Sequence, residues 1–264
     1  MNIGLIIIGD EILSGKRQDK HLPKVIELLA ARGLSLSWFR GVGDEPELIA
    51  GALKDAFASG DTVFSCGGIG ATPDDHTRQA AAAALGVPLV LHPEARELIV
   101  QRMRDTAAEQ GVEFDDTRAD NVHRLNMGVF PQGASIIPNP YNKIPGFTVG
   151  TVHFLPGFPV MAWPMIEWIL DRKLSHLHNV AGQKEQSVIV FGAMEATLTP
   201  LMEAIEAHYT GIQVFSLPSV DHPEYGKHIE LGVKGPPGLL GAAYAELLEG
   251  LHEAGAELGP ELVR

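Results

Sequence analysis

Apolar residues in the first part of the chain alternate between short continuous runs and helical spacing. The continuous runs predict buried strands at Asn2 to Ile8, Leu34 to Phe39 and Thr62 to Cys66. Between them, apolar residues recur every three or four positions and predict helices with the faces Leu22, Val25, Ile26, Leu29 and Ile49, Leu53, Phe57. Strands that alternate with helices favour a mainly parallel sheet covered on both faces, which is a three-layer α/β/α domain.

The α/β pattern continues to about residue 172. We expect an edge strand at 87–91, helices at 93–110 and 115–126, a strand at 135–139, a hairpin at 147–155 and an apolar helix to Leu170. The polar residues 173–184 are typical of a linker. Residues 185–264 predict a small α+β module of order β-α-β-β-α, with strands at 188–191, 212–217 and 228–233, helices at 193–208 and 239–251, and a frayed tail from Glu253. We therefore divide the chain into domains at 1–172 and 185–264.

Composition narrows the class of protein. The chain has 264 residues, is 45% hydrophobic and carries one cysteine and a formal net charge of −13. An acidic surface disfavours nucleic acid and anionic membranes as partners. Apolar runs are shorter than a membrane span, and a basic leader segment is not evident. We expect a cytoplasmic protein, with Cys66 serving as a small buried apolar residue.

The most informative stretch is Cys66 to Thr77, where three glycines follow a predicted strand and precede an alanine-rich helix. Thr72 suits an N-cap and Pro73 the first helical position, and backbone N–H groups at such a helix start bind anions. Asp74 and Asp75 would repel a bare phosphate, so they fit better as ligands of a divalent cation that the phosphate also touches. The alternative is a simple helix cap, because Thr72 and Asp75 have the spacing of a capping box. It is not a Walker loop, since Gly-Lys-Ser/Thr is missing.

Acidic residues follow all three of the early predicted strands. They are Asp10 and Glu11, with Ser14 beside them, then Asp44, and then Asp74 and Asp75. The carboxyl ends of parallel strands share one edge of a sheet, so these side chains should converge there. Each acid alone is equally compatible with a polar loop or a cap. Together they predict a site for an anionic small molecule and a divalent cation.

These residues resemble the CinA family, within the wider molybdopterin-binding superfamily of MogA- and MoaB-like proteins. The resemblance covers residues 1 to about 172 and rests on several motifs in the family's order. The motifs are Gly9-Asp10-Glu11-Ile12-Leu13-Ser14-Gly15, Val42-Gly43-Asp44, Gly67-Gly68-x-Gly70-x-Thr72-Pro73-Asp74-Asp75-x-Thr77, Pro138-Asn139-Pro140, Pro145-Gly146-Phe147 and Leu155-Pro156-Gly157-x-Pro159. The amidase domain that ends longer CinA proteins is missing from this sequence, so amidase activity is not expected.

The resemblance implies a domain that binds a molybdopterin-like ligand or a nucleotide pyrophosphate, and a homo-oligomer, dimer or trimer. CinA-type members hydrolyse ADP-ribose and related dinucleotides with a metal, whereas MogA-type members adenylylate molybdopterin. Asp74 matches the CinA type, because MogA-like proteins usually carry a basic residue there. Our leading hypothesis is a metal-dependent ADP-ribose pyrophosphatase using Mg²⁺ or another divalent cation.

We assign roles to individual residues on this basis. Catalysis is assigned to Asp75, Asp44 and Glu11, and metal binding to Asp74, Asp75 and Asp44. Ligand contacts are assigned to Asp10, Ser14, Gly67, Gly68, Gly70, Thr72, Thr77, Asn139, Pro156 and Gly157. Two alternatives stay open: a molybdopterin-binding protein or adenylyltransferase of molybdenum cofactor biosynthesis, and a binding protein without turnover. The second is suggested by Met161, which stands where the family usually has Glu.

Overall fold

The computed structural model describes residues 2–179, 182 and 184–263. The chain folds into two compact units, with the boundary between His178 and Asn179. Residues 180, 181 and 183 of the predicted linker lie outside the described residues.

A six-stranded sheet forms the centre of the first unit. The strands of this unit are β1 Ile3–Ile8, β2 Trp38–Val42, β3 Thr62–Cys66, β4 Leu89–Leu91, β5 Val129–Pro131, β6 Ser135–Ile137, β7 Gly146–Val149 and β8 Val152–Leu155. The order in the sheet is β2-β1-β3-β8-β7-β6, in which β2, β1, β3 and β8 are parallel and β7 and β6 are antiparallel. A separate two-stranded ribbon pairs β4 with β5.

Helices cover both faces of this sheet. They are α1 Asp10–Leu13, α2 His21–Ala30, α3 Pro46–Ser59, α4 Thr77–Leu85, α5 Pro93–Gln110, α6 Ala119–Arg124 and α7 Pro159–Arg172, with short 3₁₀ turns at Leu125–Gly128 and Ser175–Leu177. One core joins β1 and β3 to α2 and α7, and a second core on the opposite face joins β1, β3 and β8 to α3 and α4. The predicted three-layer α/β/α architecture is therefore confirmed.

Proline and glycine mark several helix ends in the first unit. Helices α3, α5 and α7 begin at proline, whose missing N–H has no intrahelical partner at that position. Helices α3, α4 and α5 end at Gly60, Gly86 and Gly111, each with a left-handed backbone that glycine adopts without a Cβ clash. Proline at the start and glycine at the end therefore set these helix boundaries.

Two predicted boundaries are wrong near the site. Helix α4 begins at Thr77, so Thr72 is not its N-cap and Pro73 is not its first residue. The Asp75 carboxylate instead accepts a hydrogen bond from the Thr72 N–H, which closes a tight turn before the helix. Strand β2 spans Trp38–Val42 rather than starting at Leu34, because Leu34 still donates its N–H to the end of α2.

The second unit combines an antiparallel sheet with two helices. Its elements are β9 Lys184–Phe191, α8 Glu195–His208, β10 Gln213–His222, β11 Gly226–Gly235, α9 Pro237–Glu253 and β12 Glu257–Val263. The strand order is β10-β11-β9-β12. The prediction of a frayed tail is wrong, because β12 pairs with β9 from Phe191 to Gln186. In the part of the chain that the structure describes, none of the helices is long and apolar enough to cross a membrane.

Candidate functional site

A cavity of about 400 Å³ lies at the carboxyl ends of β1, β3 and β8. We call it the main cavity. The glycine loop after β3, residues 67–72, forms one wall, and the loops after β1, β2 and β8 and the proline-rich loop after β6 form the others. The predicted convergence of motifs at one sheet edge is thus observed.

Two glycines of the loop lie where a side chain would meet close neighbours. A side chain at Gly67 would strike the carbonyl oxygen of Ile8, and its φ of 113° is also unfavourable for other residues. A side chain at Gly70 would strike the carboxylate of Asp75. The loop can therefore follow this path only with glycine at position 67, whereas a side chain at position 70 would displace the Asp75 carboxylate.

Helix α4 fixes the direction of the loop's peptide groups. Thr77 donates its hydroxyl to the carbonyl of Gly67 at 3.0 Å and its N–H to the carbonyl of Gly68 at 3.0 Å. Arg78 donates a guanidinium N–H to the carbonyl of Gly70. Three carbonyls of the loop therefore face α4 and are already satisfied.

The N–H groups that follow these carbonyls point the opposite way, because C=O and N–H are antiparallel in a trans peptide. They belong to Gly68, Ile69 and Ala71, all of which line the main cavity. Within the described residues, none of these three N–H groups donates a hydrogen bond. Successive free N–H groups of this kind form an anion-binding nest.

Arg78 is a site residue that sequence reasoning missed. Its side chain is only 5% exposed, and burial lowers the pKa of its guanidinium while the charge of Asp75 opposes this. Arginine nevertheless stays charged in proteins. It therefore places a positive charge directly beneath the glycine loop. The sequence signal for this role is the basic residue directly after Thr77, in the first turn of a helix that packs on the loop.

His123 of α6 supports the next peptide of the loop. Its Nε2 lies 2.8 Å from the carbonyl oxygen of Ala71, and a carbonyl only accepts, so Nε2 carries the proton. The following N–H, of Thr72, points away and donates to Asp75 at 2.8 Å. The Thr72 hydroxyl also donates to this carboxylate. Asp75 therefore has the local bracing role that the capping alternative predicted, although no helix begins there.

Four carboxylates line the main cavity opposite and beside the nest: Glu11, Asp44, Asp74 and Asp75. Burial raises the pKa of Asp44, and the charges of Asp10, Glu11 and Asp74 raise it further. Asp44 is therefore close enough to Asp10, Glu11 and Asp74 to be repelled by them. Among the described residues, no group of three or more His, Cys, Asp or Glu side chains is placed to hold a metal ion by itself.

Three of the assigned ligand residues do not line the main cavity. Asp10 lies behind it and exchanges hydrogen bonds with Asp44, through Asp10 N–H to Asp44 Oδ2 at 2.9 Å and Asp44 N–H to Asp10 Oδ1 at 3.2 Å. Ser14 is exposed at the end of α1. Thr77 is buried and holds the loop from below. Asp10 and Thr77 thus hold the loops that form the cavity, and the ligand contacts assigned to all three residues stay predictions.

The proline-rich loop supplies a rigid wall. Asn139 is 5% exposed, and its amide donates to the carbonyl of Ile144 at 2.9 Å and to Asn142 Oδ1 at 2.8 Å. Asn142 in turn donates to the sulfur of Met161 at 3.3 Å. Lys143 points elsewhere and pairs with Asp105. Asn139 thus braces this wall, while Pro156 and Gly157 line the cavity from the loop after β8.

Sequence comparison gives the relatives of the chain. Residues 4–176 match the family model described as "Probable molybdopterin binding domain". A CinA-like protein of Syntrophotalea carbinolica is 31% identical over 220 residues, which cover 78% of this chain and 50% of that protein. A protein of Pyrobaculum calidifontis is 30% identical over 250 residues, 92% of each chain. The chain spans about half the length of the curated CinA-like relatives that it matches.

Structure comparison agrees with the sequence comparison. The crystal structure of the protein CinA, of unknown function, from Thermoplasma acidophilum matches with a TM-score of 0.54 and 26% identity, covering 65% of this chain and 98% of that one. The family model spans more than half of the chain and includes every motif around the main cavity. The chain therefore belongs to the molybdopterin-binding-domain family and is CinA-like within it.

Proposed function

We propose that the first unit binds a nucleotide pyrophosphate such as ADP-ribose together with a divalent cation, and hydrolyses it. One observation carries this proposal. Three unpaired N–H groups of the glycine loop and four carboxylates line the same cavity. Free N–H groups suit the phosphate oxygens, whereas the carboxylates need a cation between themselves and the phosphates.

The nest holds the pyrophosphate. The N–H groups of Gly68, Ile69 and Ala71 donate to its oxygens, and Arg78 adds positive charge from beneath without touching the ligand. Hydrogen bonds to an anion are about twice as strong as those between neutral groups. Because α4 holds the carbonyls in place, these donors are already oriented when the ligand arrives.

The carboxylates fit a cation that takes part of its coordination from the ligand. Magnesium in nucleotide sites is usually bound by one or two carboxylates, waters and substrate phosphates. Asp44 with Asp74 or Asp75 would supply the protein ligands, and the positive charge would oppose the burial and repulsion that raise the pKa of Asp44. Such a cation would polarise a phosphoryl group and acidify bound water. Glu11, on the same wall, positions the attacking water and accepts its proton.

Hydrolysis of ADP-ribose tests the proposal. The protein is incubated with ADP-ribose and Mg²⁺, Mn²⁺ or Co²⁺, and release of AMP is measured by chromatography. We expect AMP with at least one metal and none after chelation. An absence of AMP with all three metals would refute hydrolysis of this substrate.

A second candidate is adenylylation of molybdopterin, which membership of the molybdopterin-binding-domain family favours. Adenylylated pterin formed from ATP and molybdopterin would select this activity. A third is ligand binding without turnover, favoured by Met161, which lines the cavity where the related pattern has a carboxylate. Tight binding of a nucleotide with no product under any metal would select binding alone.

A further inference from the structure

A second cavity, of about 290 Å³, adjoins the main cavity. We call it the side cavity. Both cavities are lined by Ile8, Glu11, Arg17, Gly157 and Phe158. The side cavity extends from this shared rim towards the starts of α2 and α7. A ligand whose pyrophosphate lies on the nest can therefore extend into it.

The side cavity differs in chemistry from the main cavity. Its inner walls are apolar and include Ile7, Ile12 and Pro159, whereas the exposed side chains of Arg17 and Lys20 line its rim. Cys66 also lines it, and burial raises the pKa of the thiol, which keeps it neutral. Of the four carboxylates around the main cavity, only Glu11 reaches this one. The buried inner part of the side cavity thus suits an uncharged ring rather than a metal ion.

His21 lines the side cavity and is 4% exposed. Its Nε2 lies 3.0 Å from the carbonyl oxygen of Gly157, so Nε2 carries the proton and Nδ1 is left as an acceptor. This Nδ1 is buried and has no hydrogen-bond partner among the described residues. Asp19 holds the backbone around it by accepting the N–H groups of His21 and Leu22.

A buried acceptor without a donor is unfavourable, and most such atoms in native proteins have a partner. An apolar wall with one fixed acceptor is also the usual composition of a site that recognises a ring by one polar contact. We propose that the side cavity binds the ring at the distal end of the pyrophosphate ligand, and that His21 Nδ1 accepts a hydrogen bond from a ring hydroxyl or N–H. This inference rests on the proposed function, because the pyrophosphate must lie on the nest.

Two substitutions separate the two nitrogens of His21. His21→Gln can keep a donor towards Gly157, in the place of Nε2, but removes the acceptor at Nδ1. His21→Asn can keep an acceptor near Nδ1 but removes the bond to Gly157. Gln18→Trp places a bulky side chain at the exposed rim of the side cavity, and Gln110→Trp on α5 is a matched exposed control.

Binding of α,β-methylene analogues of ADP and ADP-ribose is measured by calorimetry with Mg²⁺, since the bridging carbon prevents hydrolysis. The wild type should bind the ADP-ribose analogue more tightly, because only this ligand has a distal ring. His21→Gln should lower the affinity for the ADP-ribose analogue about 5- to 10-fold, which is the effect of one hydrogen bond, and leave the affinity for the ADP analogue unchanged. His21→Asn should retain most of the preference. Gln18→Trp should lower only the affinity for the ADP-ribose analogue, and Gln110→Trp should change the affinity for neither analogue.

Equal affinity of the wild type for the two analogues would overturn the side-cavity proposal and leave the pyrophosphate site intact. Failure of both analogues to bind would overturn the proposed function as well. If the His21 variants do not fold, Gln18→Trp decides the question alone, because its site is exposed. If His21→Gln weakens the binding of a dihydropterin triphosphate but not that of the ADP-ribose analogue, the ring is identified as a pterin.

Discussion

Arg78 offers the sharpest test of how the glycine loop is supported. Arg78→Met keeps much of the aliphatic stem but removes the donor to Gly70 and the positive charge near Asp75. Loss of a hydrogen bond to a charged donor, with its partner left unsatisfied, costs about 1–3 kcal/mol. At roughly 2–4 °C per kcal/mol for a unit of this size, the melting temperature should fall by about 2–12 °C.

The same substitution should weaken ligand binding, because the peptide between Gly70 and Ala71 is no longer held. Loss of the Ala71 N–H as a donor to a phosphate should reduce affinity about 10- to 100-fold. Thermal unfolding followed by calorimetric titration with Mg²⁺ and the α,β-methylene analogue of ADP-ribose measures both effects. Arg96→Met is the matched control, since Arg96 is exposed on α5 and should change neither quantity.

Arg78→Lys separates the effect of the positive charge from that of the hydrogen bond to Gly70. Lysine retains the positive charge but not the planar guanidinium, so it should recover some affinity without restoring the bond to Gly70. A folded Arg78→Met protein with wild-type affinity would refute the view that α4 orients the nest. A loss of stability alone would show that Arg78 serves packing rather than binding.

Three further predictions concern the acids and the second unit. Asp75→Asn keeps an oxygen that accepts from Thr72, so the free energy of unfolding should fall by at most about 1 kcal/mol. Hydrolysis, and any rise in melting temperature caused by added metal, should be lost. Full hydrolysis by this variant would contradict the assignment of Asp75 as a metal ligand. Folding raises the pKa of Asp44, so the stability of the wild type should decrease as the pH rises from the unfolded to the folded pKa of this carboxyl. Asp44→Asn should therefore melt at a higher temperature than the wild type at neutral pH, but not in acid. Deletion of residues 257–264 should expose one edge of β9. Faster hydrogen exchange within residues 186–191 would confirm it, while unchanged protection there would count against a structural role for β12.

The sequence predicts the framework well because the framework depends on local signals. The continuous apolar run at Ile3–Ile8 and the helix-initiating Pro93 act within a few residues, and both elements are found as expected. The convergence of Asp44, Asp74 and Asp75 on one cavity follows from the common edge of parallel strands. None of these inferences needs a long-range contact to be known.

The remaining features depend on contacts that sequence patterns do not encode. Thr72 and Pro73 look like a helix start, but residues 72–75 close an isolated turn through the Asp75 N–H and the Thr72 carbonyl, and the helix begins only at Thr77. Glu257 onward looks like a frayed end, yet the edge of β9 recruits it as a strand. His123 meets the glycine loop only through the packing of α6, 52 residues further along the chain.

The support of the glycine loop should also shape the heat and entropy of ligand binding. Ordering a flexible backbone costs about 1–2 kcal/mol per residue, and loops that close on their ligands incur this cost at the moment of binding. Here Thr77 and Arg78 already hold the loop through three carbonyls, so the cost is met during folding. Binding should therefore have a smaller unfavourable entropy than binding to a flexible loop, with an association rate that no loop closure limits. A change in the anion recognised would accordingly require changes in the first turn of α4 as well as in the loop.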